Sequence, residues 1–158
     1  MGGLSVMNAE AALDRLRAYC RGMPPVAAMQ VEVAGYADGV LRLTAPLARN
    51  VNDKGTAFGG SLTSLMTVAG WGRVTLGLDL AGESAEVYVA DSNIRYLAPL
   101  RSDLQAEARL APGESWETFL VTLRQRGRAR IQVEAVVYLP DGGAATTLSG
   151  RFVAIARR

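Results

Sequence analysis

The chain has 158 residues, 49% hydrophobic and 20% charged, with a net charge of +2. That is the mass of one domain with a real core, and it excludes a disordered chain. The small net charge does not imply nucleic acid, and the 6% of aromatic residues forms no stacking platform among the basic ones.

Asn8 caps a first helix that runs to about Arg21, with Ala12, Leu13, Leu16 and Cys20 on one face. Gly22 and Pro24-Pro25 end it. Cys20 reads as a packing residue. Two strands follow, Met29–Ala34 and Val40–Ala45, with Asp38-Gly39 as the hairpin signal between them. Residues 46–56 form a polar loop with no helix or strand pattern.

From Gly59 to about Leu78 the pattern is helical and apolar nearly all round, and Arg73 is the only charge before Asp79. Such a helix is buried on most sides. Gly59, Gly60, Gly70, Gly72 and Gly77 are poor helix formers, so their expected use is to let a sheet approach the helix axis. Five more runs alternate with period two and read as strands: Glu86–Leu97, Asp103–Leu110, Trp116–Gln125, Arg130–Leu139 and Ala145–Ile155. The expected fold class is α+β, one antiparallel sheet curled round one apolar helix, as a single domain over residues 1–158. A curled sheet leaves an edge strand, so a homo-oligomer is expected, with Glu86–Leu97 and Arg130–Leu139 as candidates for an intersubunit sheet.

The chain has no histidine and one cysteine. This excludes Ser-His-Asp and Cys-His chemistry, a histidine- or cysteine-rich metal site, and an intrachain disulfide. Chemistry falls to carboxylates, hydroxyls, amides and backbone groups. The first fifteen residues have neither the basic nor the apolar region of a leader. No apolar run reaches ~18 residues, so no membrane span is expected and the cytoplasm is the default location.

The most informative segment is Asn50-Val51-Asn52-Asp53-Lys54-Gly55-Thr56-Ala57-Phe58-Gly59-Gly60-Ser61-Leu62. A polar loop runs straight into the start of a buried helix, where the first N–H groups have no internal partner. Two glycines leave those groups uncovered, a ready site for an oxyanion or a thioester carbonyl. Asn52 and Asp53 are placed to hold or activate a water. Gly60, Thr63, Ser64 and Thr67 recur at i, i+3, i+4 and i+7, one polar stripe expected to face a ligand, a partner or water. The plainer alternatives are hydroxyls bonded back to the i−4 carbonyl, and a turn role for Asp53.

The run Asn52-Asp53-Lys54-Gly55-Thr56-Ala57-Phe58-Gly59-Gly60 resembles the Asn-x-x-Gly-x-x-His-Gly-Gly motif of hotdog acyl-CoA thioesterases of the phenylacetate type. Phe58-Gly59-Gly60-Ser61-Leu62 with Gly70-Trp71-Gly72 resembles the YiiD-type thioesterase domain more closely, and the hotdog order covers nearly the whole chain. The resemblance implies hydrolysis of an acyl-CoA or acyl-carrier-protein thioester, with no cofactor beyond the coenzyme A of the substrate, in a homodimer or a dimer of dimers. It assigns catalytic roles to Asn52 and to the amide at Gly60, with Thr67 at the position of the family's acid and Asp53 as the nearest replacement carboxylate. Phe58, Gly59, Ser61 and Ser64 are matched to substrate binding. Ser92, Asn93 and Arg95 lie on the strand that borders the pantetheine channel in such proteins. Phe58 stands where the phenylacetate type has histidine and Thr67 where it has its acid, so a non-catalytic acyl-CoA-binding protein is the alternative. Phe58, Trp71 and Tyr96 are candidates either to line an acyl or aryl pocket or to serve packing alone. Arg124, Arg126, Arg128 and Arg130 are expected around one hairpin tip, facing either solvent or the phosphates of coenzyme A.

Overall fold

The computed structural model describes residues 7–158; the reading of the chain's start as leaderless falls partly on residues 1–6, outside the described residues. Helix α1 spans Ala9–Gly22, and the Asn8 side chain accepts a hydrogen bond from the Ala11 amide at 2.8 Å. Its buried face is Ala12, Leu13, Leu16 and Cys20. The two prolines stop α1, but they also start a second helix, α2 (Pro24–Ala28), because proline suits the first helical turn. That helix, with Gln30 at a φ of 56°, takes up the residues where the first strand was expected to begin.

Strands β1 (Glu32–Ala37) and β2 (Val40–Ala45) form the hairpin, and Asp38 and Gly39 both take positive φ as a tight primed turn requires. After the loop comes α3 (Gly59–Leu80), then β3 (Ala85–Tyr96), β4 (Leu104–Leu110), α4 (Trp116–Arg126), β5 (Arg128–Tyr138) and β6 (Ala144–Ala156). The sheet order is β1-β2-β4-β5-β6-β3, and every neighbouring pair is antiparallel. Helix α3 packs against β2, β3, β4, β5 and β6, and α1 closes over its other side. This is one helix wrapped by one curved sheet, the hotdog arrangement.

Three expectations need correction. Trp116–Gln125 is helix α4, not a strand, so the sheet has six strands and not seven. Ser115 caps it through Thr118 N at 3.1 Å, and Gly127 ends it in the left-handed conformation. Trp116, Phe119, Leu120 and Leu123 carry the helical period that outweighs the alternation. As a result Arg124 and Arg126 lie in the last turn of α4, with Arg128 and Arg130 on β5, and no hairpin tip gathers them. The third correction concerns Arg130–Leu139: strand β5 is bonded on both sides, to β4 and β6, and offers no edge.

Of the α3 glycines, Gly59, Gly70 and Gly72 admit the sheet as expected, whereas Gly77 admits Trp116 of helix α4 and Gly60 lies under the ring of Phe58. A β-carbon at Gly70 would lie 2.7 Å from the Phe152 ring, one at Gly72 2.9 Å from Leu41, and one at Gly77 2.7 Å from the Trp116 ring. Only backbone fits there. Arg73, buried in the same helix, is sandwiched between the Tyr36 and Trp116 rings at 5.3 and 5.5 Å and donates to the Gly39 carbonyl at 2.9 Å. Burial pushes its guanidinium pKa down, and two ring faces stand in for a carboxylate partner.

Candidate functional site

The polar loop before α3 is tied into a fixed shape. It contains a short 3-10 turn, Leu47–Arg49, and an isolated bridge between Val51 and Ala57. Asn50 is buried, and its amide donates to the carbonyls of Met29 and Pro46 at 3.0 and 2.8 Å. Asn52 closes the turn itself. Its Oδ1 accepts from the amides of Lys54 and Thr56 at 2.8 and 3.1 Å, and its Nδ2 donates to Thr56 Oγ1 at 2.8 Å. The Ala57 amide then donates to the Leu100 carbonyl and the Phe58 amide to the Asn50 carbonyl. These bonds deliver the chain to the helix at a set angle.

Phe58 is the N-cap of α3, and no side chain caps this helix. The Leu62 amide bonds to the Phe58 carbonyl at 3.0 Å. Among the described residues, the amides of Gly59, Gly60 and Ser61 have no hydrogen-bond acceptor. Three free donors therefore converge at the positive end of a 22-residue helix. Two aromatic rings flank them. The Phe58 ring folds back over Gly60, and the Tyr96 ring lies 3.3 Å from where a Gly59 β-carbon would stand. Both rings are more than half exposed.

A family described as "Putative thioesterase (yiiD_Cterm)" matches residues 14–156. The chain belongs to this thioesterase family. A thioesterase-described protein of Shewanella oneidensis is 32% identical over 92% of this chain and 99% of its own, with a TM-score of 0.82. A protein of unknown function from Chlorobaculum tepidum is 27% identical over 97% and 99%, with a TM-score of 0.90. A thioesterase of Haemophilus influenzae shares the fold, with a TM-score of 0.70 at 18% identity.

Within this thioesterase-family frame, the expected site residues divide. Phe58, Gly59, Gly60 and Ser61 meet at the start of α3, with the Ser61 side chain turned into the protein. The polar stripe continues from them. Ser64 is exposed, Thr63 and Thr67 are half-buried, and the Thr67 hydroxyl donates to the Thr63 carbonyl at 2.8 Å. That bond is the back-bonded arrangement. Asn52 stands one loop away, its Oδ1 and one N–H of its amide engaged in the turn. The Asp53 carboxylate is 80% exposed and paired with Lys54 Nζ at 2.9 Å, so it faces solvent.

On β3 the register separates the remaining candidates. Ile94 pairs with buried Leu148 and Tyr96 with buried Thr146, so these two face α3. Side chains alternate along a strand, and Ser92 shares that inner face. Asn93 and Arg95, opposite Ser149 and Thr147, point off the outer face of the sheet, away from Gly59. The Arg124 guanidinium is taken by Glu83.

Tyr96 is the group that sequence reading undervalued. Read only as a pocket-lining aromatic, it places its hydroxyl 2.5 Å from Thr63 Oγ1 and donates to the Gly59 carbonyl at 3.2 Å. The available signal was its phase with Ile94 at the end of the strand that returns along the helix. A separate cavity of about 190 Å³ opens at the opposite end of α3, beside Arg15, Trp71, Thr75 and Asp79. Its lining residues on α3, from Trp71 to Asp79, lie roughly 17 to 28 Å along the helix axis from Gly60. Burial raises the Asp79 carboxyl pKa, offset in part by Arg15 and Arg157. Among the described residues, no helix is long and apolar enough to cross a membrane.

Proposed function

We propose that this protein hydrolyses pantetheine thioesters, carried on coenzyme A or on an acyl carrier protein, at the N-terminus of α3. The observation that carries this reading is the uncapped first turn: the amides of Gly59, Gly60 and Ser61 have no acceptor and stand beside a polar stripe. A thioester carbonyl set there gains donors that bind it more tightly as it becomes an oxyanion. Water adds to the carbonyl carbon, the carbonyl electron pair moves to oxygen, and collapse breaks the C–S bond. The products are a carboxylic acid and a thiol, and the proton shed by the water ends on the departing sulfur.

The protein acts as a homo-oligomer joined through β3. This strand is a twelve-residue edge of the sheet, and Tyr88, Val89, Tyr96 and Leu97 are exposed along or just beyond it, with Phe58 alongside Tyr96 at the start of α3. A long apolar edge of this kind is normally paired. A second copy seated on β3 would stand next to the open turn of α3 and close the site from water.

The test is a panel of acyl-CoAs of graded chain length plus phenylacetyl-CoA and an acylated carrier protein, with thiol release followed by a chromogenic disulfide. Turnover on one carrier class and not the other identifies the carrier. Binding of every substrate without thiol release would instead support the acyl-binding alternative.

A further inference from the structure

We infer that the phenol of Tyr96, in place of a carboxylate, positions the hydrolytic water at this site. The inference rests on the thioesterase reading above. Asp53, the carboxylate considered for that role, points to solvent in its pair with Lys54. Asp79, the one acid within α3, lies at the far end of the helix, and Asp91 is paired with Arg151. The polar groups beside the free amides of α3 are hydroxyls.

Tracing their protons singles out one oxygen. Thr67 donates its proton to the Thr63 carbonyl. The Tyr96 phenol donates to the Gly59 carbonyl at 3.2 Å. In the 2.5 Å contact with Thr63 Oγ1 either hydroxyl can donate; in the arrangement that keeps the bond to Gly59, threonine donates to the phenol. Tyr96 Oη then keeps one acceptor position, on a residue 58% exposed to the open side of the site. The ring is pressed on Gly59, within two residues of each unbonded amide. A water that donates one hydrogen to Oη therefore stands beside the oxyanion donors, with a lone pair free for the thioester carbon. Thr63 fixes the phenol's orientation, and Gly59 has no β-carbon to hold the ring away. Tyr96 is in this account a positioning group: it takes up no proton, and the proton lost by water leaves with the thiolate.

The test is steady-state hydrolysis of the acyl-CoA panel by wild type, Tyr96→Phe, Thr63→Val and the double variant, each checked for its thermal unfolding midpoint. Tyr96→Phe keeps the ring and its packing. The expected result is a fall in kcat on the order of 100-fold, as for a misplaced reactant, with KM within about threefold and the midpoint within the scatter of replicate unfolding scans. Thr63→Val should lose less, and the double variant should be no worse than Tyr96→Phe alone, as for groups acting as one unit. With wild type active, a Tyr96→Phe kcat within twofold, or a change in KM alone, overturns the inference and leaves the thioesterase reading standing. A double variant whose losses multiply overturns the shared role. No turnover by wild type on any substrate, acyl carrier protein included, overturns both.

Discussion

Asn52 holds a turn together with both ends of its amide, and the helix entry depends on that turn. Asn52→Ala removes two acceptor bonds and one donor bond at once. The expected cost is about 1–3 kcal/mol of stability, with a lower rate of thioester hydrolysis, because Phe58 and Gly59 lose their set angle. Chemical denaturation beside the hydrolysis assay checks both. Asp79→Asn addresses a different residue-scale balance. Burial raises the Asp79 carboxyl pKa, and Arg15, 3.6 Å away, recovers only part of the cost. A folded pKa above the unfolded value of about 3.9 makes the wild type lose stability as pH rises between those two values. The variant lacks that loss. Its unfolding midpoint relative to wild type should climb as pH is raised from about 4 to neutral, and a difference that stays flat over that range would count against the assignment.

At the scale of elements, α3 shows why propensity was the wrong guide and packing the right one. Its glycines mark where Phe152, Leu41 and Trp116 press on bare backbone. Gly70→Ala would drive a β-carbon into the fully buried Phe152 ring. The expected loss is about 1–3 kcal/mol, or some 2–4 °C in the unfolding midpoint per kcal/mol, measurable by calorimetry. The long apolar helix, the Asp38-Gly39 hairpin and the positions of most strands were legible because each rests on local pattern. Helix α4 was not. Trp116, Phe119 and Leu123 fit a helical stripe, yet Thr118, Leu120 and Thr122 also fit a strand, and period alone left the two open. Ser115 and Gly127 were the deciding punctuation. For the site, the glycine amides could be read from the sequence, because a loop entering a buried helix exposes them whatever the tertiary detail. The contacts of the Tyr96 hydroxyl with Thr63 and Gly59 could not, because they depend on how close the end of β3 comes to the start of α3.

For the molecule as a whole, the two edges of the sheet differ in kind. Strand β1 is six residues long and interrupted by a bulge, whereas β3 presents twelve residues and the larger share of the exposed apolar side chains. Replacing Val89 and Leu97 together with glutamate should halve the mass measured by light scattering, with far-ultraviolet circular dichroism unchanged. Retention of the wild-type mass would remove β3 as the interface. The bare first turn of α3 also has a thermodynamic consequence. Whatever accepts hydrogen bonds from Gly59, Gly60 and Ser61 binds the native chain and finds no such cradle in the unfolded one. Occupancy must then raise the unfolding temperature by mass action, by about 2.7 kcal/mol of added stability at a hundredfold excess over Kd. Ligands of this site are thus detectable by melting alone, non-hydrolysable thioether analogues included, before any bond is broken.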